Sequence, residues 1–306
     1  METQLLVCLA YRPPYDWAHL RDFLAARAVA GVERVDARGY ARTVACEGGA
    51  ALICVNALPR APALELRVVS GAPATALRPL AAVVRRAFDL SADPARIGAA
   101  LASDSLIGPL VKRRPGLRIP GVWEPFECAV RAVLGQQVSV AAACTLAARL
   151  VQRAGVAVNG GGSEGLTHLF PGPERLADTN LASLGLTRAR AATLGALARA
   201  VLEQRINFDA APAELVAALL TVPGIGAWTA QYVALRALGD PDAFPAGDLV
   251  LRRMAAPPRR AALSARALEE RARQWQPWRG YAALQLWQAA AAAAARARTA
   301  ARPRCG

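Results

Sequence analysis

Apolar and polar positions follow two different rhythms in this chain, and the change falls near Ala92. The stretch Gln4–Ala10 is apolar and strand-like and ends at Pro13-Pro14. Short alternating runs follow at Val32–Val35, Tyr40–Cys46, Ala51–Val55 and Leu64–Val69, with Glu47-Gly48-Gly49 suited to a hairpin turn. Two segments of the same region have helical spacing. In Tyr15–Val29, Trp17, Leu20, Phe23 and Leu24 share one side, and Asp16 is placed to cap. In Pro79–Phe88, Leu80, Val83, Val84 and Phe88 face inward, and Pro79 suits the first helical position. Residues 1–92 thus predict an antiparallel sheet backed by two helices.

Beyond Ala92 the period of two disappears. Helical spacing recurs at Pro94–Ser103, Pro125–Ala154, Pro173–Ala177, Asn180–Leu184, Arg188–Glu203, Pro212–Leu220, Ala227–Leu238, Ala246–Met254, Ser264–Gln274 and Gly280–Ala295. Prolines and glycines punctuate these segments. Asn159-Gly160-Gly161-Gly162-Ser163 reads as a flexible loop and residues 297–306 as a disordered tail. The fold class is therefore α+β, with a sheet domain over 1–92 and an all-α body over 93–296.

Composition narrows the partners. The chain has 306 residues, 54% of them apolar, enough for sizeable cores in two or three domains. Its net charge of +14 favours a polyanionic partner, nucleic acid before membrane. The abundance of arginine and alanine beside a single lysine, Lys112, also fits a GC-rich genome. The cysteines form no CxxC or Cys/His pair, and only His19 and His168 are histidines. That spacing argues against structural zinc, iron–sulfur clusters and a disulfide framework, so no metal site is expected. Met1–Ala10 lacks a basic n-region, and the alanine run Ala289–Ala295 is too short to span a bilayer. The expectation is a reduced cytoplasmic protein with no membrane contact.

Between two apolar stretches stands Pro223-Gly224-Ile225-Gly226, with Ala227-Trp228-Thr229-Ala230 after it and a lone acid, Asp248, farther on. Two glycines around one apolar residue let the chain reverse sharply and let its backbone approach a ligand. The next helix begins near Ala227, so its free N–H groups and dipole make an anion site suited to phosphate. By itself the turn is equally a helix connector with Ile225 in the core. Asp248 by itself is equally a helix cap for Leu249–Met254.

The surrounding residues extend the pattern. "YDWAHLRDFLAARAV" (Tyr15–Val29), "RPGLRIPG" (Arg114–Gly121), "FECAVRAVLGQQVSV" (Phe126–Val140) and "PWRGYAALQLW" (Pro277–Trp287), together with the hairpin at 219–230, resemble the helix-hairpin-helix DNA glycosylase superfamily. Within it the match is to bacterial DNA-3-methyladenine glycosylase II, over roughly residues 3–290. The resemblance implies an α-helical glycosylase body of two helical subdomains. It also implies a monomer that binds double-stranded DNA, flips an alkylated base of the 3-methyladenine or 7-methylguanine type, and hydrolyses its glycosidic bond.

Site residues follow from the same resemblance. Asp248 falls on the catalytic aspartate, where a buried carboxylate beside a helix N-terminus stays ionised and stabilises an oxocarbenium-like sugar or orients water. An alkylated purine carries positive charge and leaves without protonation, so one carboxylate suffices. A second acid often precedes the catalytic one in the family; here that position is Gly247. Trp228 occupies the slot of the Schiff-base lysine in bifunctional members, so strand cleavage is not expected. Trp228, Tyr232 and Trp287 match pocket positions for stacking on a flipped cationic base, and Phe23 is either a further wall or plain core. Gln137 matches the side chain wedged into the duplex, or is simply a solvated loop residue. Gly224, Ile225, Gly226 and Thr229 carry the backbone grip on DNA, and Lys112-Arg113-Arg114 and Arg252-Arg253 are further phosphate candidates. No cofactor is expected, apart from a monovalent cation that hairpin carbonyls can hold in this family. Two alternatives stay open: a glycosylase for hypoxanthine or uracil, and a non-catalytic hairpin protein that only binds DNA.

Overall fold

The structure is a computed structural model that describes residues 5–47, 49–158 and 165–300. Five strands, β1 (Leu5–Ala10), β2 (Glu33–Asp36), β3 (Gly39–Cys46), β4 (Gly49–Ala57) and β5 (Ala63–Ser70), form one sheet in the order β1-β5-β4-β3-β2. Every neighbouring pair is antiparallel. Helices α1 (Trp17–Ala25) and α2 (Leu77–Ala87) cover one face, where Leu20, Val44, Ile53, Leu66, Val84 and Phe88 make the core. Asp16 caps α1 by accepting from the His19 N–H at 3.0 Å. Pro79 sits one turn into α2 rather than at its first position, because the helix begins at Leu77.

The helical region comprises α3 (Pro94–Leu101), α4 (Ile107–Arg113), α5 (Pro125–Leu134), α6 (Val140–Ala154), α7 (Pro173–Asp178), α8 (Arg188–Leu202), α9 (Pro212–Leu220), α10 (Ala227–Val233), α11 (Leu249–Met254), α12 (Ala265–Ala272) and α13 (Arg279–Ala300). It has two cores. One gathers Val130, Leu150, Leu197, Leu215 and Ile225 from α5, α6, α8, α9 and the turn after α9. The other joins Ile107 and Val111 of α4 to Phe244, Leu251, Trp275 and Ala282, far along the chain. Core membership crosses residue 92: Trp123 packs in the sheet core, and Val29 and Val32 pack in the first helical core.

Several segments depart from the sequence reading. Pro125–Ala154 is two helices, because the chain turns at Gly135–Ser139 with Gln137 at φ +55°. Helix α4 carries no long periodic stretch; Asp104 starts it by accepting from the Leu106 and Ile107 N–H groups. A two-residue ladder, β6 (Val156–Ala157) with β7 (His168–Leu169), interrupts the helical region. It reaches the far face of the sheet, where the Thr43 hydroxyl donates to the His168 carbonyl. Residues 297–300 continue α13 instead of forming a tail, while 301–306, 159–163 and Gly48 lie outside the described residues. No helix among the described residues is long and apolar enough to cross a membrane.

Polar groups tie the sheet to the helices. Arg118, 1% exposed, donates to the carbonyls of Asp89, Ala92, Pro14 and Arg12. Beside it Asp89 accepts from the Ile119 N–H at 3.1 Å and the Tyr281 hydroxyl at 2.8 Å. Burial pushes the Asp89 carboxyl up to about 6, against the opposing effect of these bonds and Arg118. Its folded state therefore holds a proton that the unfolded chain has lost between about pH 4 and pH 6. The stability contribution of Asp89 falls as pH rises through that window and is flat above it. Asp89→Asn is expected to flatten the thermal midpoint between pH 4 and 6, as followed by circular dichroism; an unchanged slope refutes the assignment.

Candidate active site

The glycine turn is built by its apolar residues. Val222 and Ile225 are buried in the first helical core, and the Ile225 N–H donates to the Val222 carbonyl at 3.0 Å. Gly224 has φ +88°, and a Cβ there would collide with the Thr193 side chain. Gly226 is different. It stands at the N-cap of α10 with φ −96° and open space where a Cβ would point. The first bond of α10 runs from the Ala230 N–H to the Gly226 carbonyl, which leaves the Ala227, Trp228 and Thr229 N–H groups without intrahelical partners.

Gln136 braces this turn, a residue the sequence reading did not single out. Its amide donates to the Gly224 carbonyl at 3.0 Å and to the Thr229 hydroxyl at 3.1 Å. Arg190 of α8 in turn donates to the Gln136 carbonyl. The Thr229 side chain, 3% exposed, is thus spent on internal bracing; only its backbone N–H is free for a ligand. Gln137, next in the chain, is exposed in the α5–α6 turn. Ser139 ends that turn as the N-cap of α6, accepting from the Ala142 N–H at 3.2 Å. Exposed Val138 and Val140 flank it, exposed Leu249 and Val250 follow Asp248, and Val138, Val140 and Val250 line the same cavity as Asp248.

Asp248 is half-buried, more open than the sequence suggested. It is the N-cap of α11, its Oδ1 accepting from the Leu251 N–H at 3.0 Å. Its Oδ2 accepts from the Trp228 indole N–H at 2.9 Å. Capping does not exclude a site role, since each oxygen keeps a lone pair. Gly247 is exposed, and a Cβ there would meet only the Trp228 Cβ, at 4.0 Å, so no clash excludes an acid at that position.

Asp248 opens on a cavity of about 1040 Å³ that Trp228, Tyr232, Trp287 and Phe23 also line. Trp228 and Tyr232, one turn apart on α10, stack with centroids 5.1 Å apart at 11°. Trp287 of α13 meets Tyr232 edge-on at 6.5 Å. Phe23 is a cavity wall, but two guanidinium groups already lie against its ring, Arg27 at 3.8 Å and Arg236 at 4.7 Å from the centroid. It is not a free surface for a cationic base. Arg236 follows α10 on a π-helical turn (Ala234–Leu238), 7% exposed, and donates to the carbonyls of Pro120 and Gly121 and to the Tyr232 hydroxyl. Sequence gave no sign of Arg27 or Arg236, since arginines are plentiful everywhere.

Farther in, sheet and helix meet through buried ion pairs. Glu127 of α5 binds Arg42 and Arg131, each at 2.8 Å, and Glu33 binds Arg131 at 2.9 Å and the Tyr40 hydroxyl at 2.7 Å. Burial alone would raise the Glu33 carboxyl, but Arg131 and Arg42 outweigh it and hold it below the usual glutamate range. Among the phosphate candidates, Arg114 pairs with Asp16 at 3.4 Å and Arg252 donates to the Leu263 carbonyl. Among the described residues no cluster of three or more His, Cys, Asp or Glu side chains could hold a metal ion.

Comparison with known proteins places this geometry. Residues 6–124 match the AlkA N-terminal domain, and residues 130–278 match the HhH-GPD superfamily base excision DNA repair protein. DNA-3-methyladenine glycosylase 2 of Escherichia coli is 37% identical over 288 residues, covering 91% of this chain and 95% of that protein. The "probable bifunctional transcriptional activator/DNA repair enzyme AlkA" of Mycobacterium tuberculosis is 39% identical over 281 residues, and the chain spans only 56% of its length. In structure, the 3-methyladenine DNA-glycosylase of Archaeoglobus fulgidus superposes with a TM-score of 0.78 at 22% identity, over 93% of this chain and 98% of that one, which speaks for the fold. With an α+β front, a glycine hairpin and Asp248 at the mouth of an aromatic cavity, the chain belongs to the DNA-3-methyladenine glycosylase II family of helix-hairpin-helix base excision repair proteins.

Proposed function

We propose that this protein is a monofunctional DNA glycosylase, acting as a monomer in the cytoplasm. It flips 3-methyladenine or 7-methylguanine type bases from duplex DNA and hydrolyses their N-glycosidic bonds. One observation carries the reading: Asp248, held at both oxygens, opens on a cavity walled by Trp228, Tyr232 and Trp287. As the base departs, positive charge develops on the sugar, and a fixed carboxylate at the mouth stabilises it. The Trp228 N–H and the Leu251 N–H fix that carboxylate beforehand, so little reorganisation is needed at the moment of bond breaking.

Backbone N–H groups of α10 and the open space at Gly226 would take a phosphate, with Gln137 and its valine neighbours filling the gap left by the flipped base. The carbonyls of Val222 and Gly224 each accept one hydrogen bond and keep a lone pair. Such oxygen donors suit a hard monovalent cation between turn and phosphate. No amine serves as nucleophile: Trp228 stands beside Asp248, and Lys112 does not line the cavity. Methylated duplex incubated with the protein should release free 3-methyladenine and be cut only after alkali. Intact DNA at high enzyme concentration defeats the proposal, and nicking without alkali defeats its monofunctional part.

A second reading, excision of a neutral base such as hypoxanthine, draws support from Arg236 and Arg27 beside Phe23. A neutral lactam leaves as an anion, which a positive cavity wall favours, whereas the same wall opposes a cationic base.

A further inference from the structure

Helix α13 climbs the cavity wall and emerges from it. Residues 280–286 are buried, 287–290 are half-buried, and from Ala293 the helix is exposed as far as Thr299. Along the way it packs against α11, the helix that Asp248 caps. Gly280, Leu284, Trp287, Ala291 and Ala294 all line the cavity. Their alternating steps of four and three residues mark a single helix face. The next member of that series is Arg298, exposed in the last turn. Arg296, equally exposed, lies about two and a half turns beyond Trp287 and so on the opposite face. Neither guanidinium has a hydrogen-bond or ion-pair partner among the described residues, and α13 contains no acid.

We infer that the exposed end of α13 is a docking arm for duplex DNA, with Arg298 binding a backbone phosphate beside the flipped nucleotide. The inference rests on the glycosylase reading above. A base inside the cavity leaves its sugar near Asp248 and its backbone across the mouth, where α13 emerges. Arg298 stands about 16 Å along the helix from Trp287, far enough to clear the cavity and meet the flanking strand. Charge complementarity names the occupant. A duplex carries one negative charge per roughly 1.7 Å of its axis, and this face of α13 ends in a cation with no acid near it in the helix. Both arginines suit the negative end of the helix dipole, so that role does not choose between them; the cavity stripe does. The intervening residues 289–295 are all alanine, the best helix former, which keeps the arm helical and slim enough for a sugar-phosphate backbone to lie against it. The match to the base excision repair superfamily ends at residue 278, one residue before α13 begins, so the arm adds a contact to the hairpin grip.

Affinity for a duplex containing a tetrahydrofuran abasic analogue would be measured across a salt series for wild type, Arg298→Ala, Arg298→Lys and Arg296→Ala. The two alanine variants remove the same charge from opposite faces, and alanine at an exposed helical position preserves the fold. Arg298→Ala is expected to bind roughly fivefold more weakly at about 0.15 M salt, and its slope of log affinity against log salt should fall by about 0.9, as for one lost phosphate contact. Arg298→Lys, still a cation, keeps most of the affinity, and Arg296→Ala stays near wild type. An unchanged slope in Arg298→Ala overturns the proposal. So does an equal loss in Arg296→Ala, which would mark net charge alone, or an equal loss in Arg298→Lys, which would mark something other than charge. Release of 3-methyladenine by wild type, timed on the same preparation, tests the reading underneath. Wild type that binds duplex but releases no base overturns the glycosylase reading and leaves the salt slopes to decide the arm; wild type that binds no duplex overturns both.

Discussion

Asp248→Asn is expected to release alkylated bases about 100- to 1000-fold more slowly than wild type, the range for removing one preorganised electrostatic group. The fold should survive, because asparagine is also a good N-cap and its carbonyl oxygen can still accept from the Leu251 N–H. What it cannot do is accept from Leu251 and Trp228 together, since its second atom is an NH₂ group. The cost in stability should stay near about 1 kcal/mol, the net worth of one hydrogen bond. Single-turnover base release, thermal unfolding and duplex affinity measured on the same preparation test this. Release above a tenth of the wild-type rate removes Asp248 from the chemistry. Unfolding of the variant makes the cap its main role.

The hairpin should respond just as sharply, but at one glycine for folding and at the other for binding. Gly224→Ala places a Cβ at φ +88° and against Thr193, and should destabilise the protein by about 2–4 kcal/mol. Thr193→Ala removes the Oγ1 and Cγ2 atoms in the way but leaves Cβ at 3.1 Å, so the double variant should recover part of that loss. Gly226→Ala meets nothing within the protein at φ −96° and should fold like wild type. If DNA backbone lies against the turn, the same methyl group lowers duplex affinity. Thermal midpoints of the four variants and fluorescence-anisotropy titrations of duplex separate these effects. A stable Gly224→Ala, or undiminished affinity in Gly226→Ala, contradicts the respective half.

Much of this was legible because it depends on local rules. Alternation marked four of the sheet's strands, and Gln4–Ala10 marked the fifth by its apolar run. Proline at the first turn marked the starts of α3, α5, α7 and α9. The turn Pro223–Gly226 was visible because glycine spacing is itself the signal. The break between α5 and α6 was not seen as an element boundary, although Gly135 and the Ser139 cap were there to show it. The β6–β7 ladder is too short for any period to register. Nor could pattern reveal contacts between distant residues: the Trp228–Asp248 bond, the Gln136 brace and the guanidiniums against Phe23 depend on how helices pack. The Phe23 contacts changed the physical reading most. Left by the sequence as either a further wall or plain core, Phe23 is a wall with arginine already on it, so it offers no open platform to a cationic base.

The Gln136 brace has a mechanical consequence. Because one amide spans from the α5–α6 turn to both Gly224 and Thr229, with Arg190 locking it from behind, Gln137 is held at a set offset from the first turn of α10. On the proposed reading, a phosphate seated at the hairpin would fix which base step lies under Gln137, so grip and probe would work as a ruler of set length.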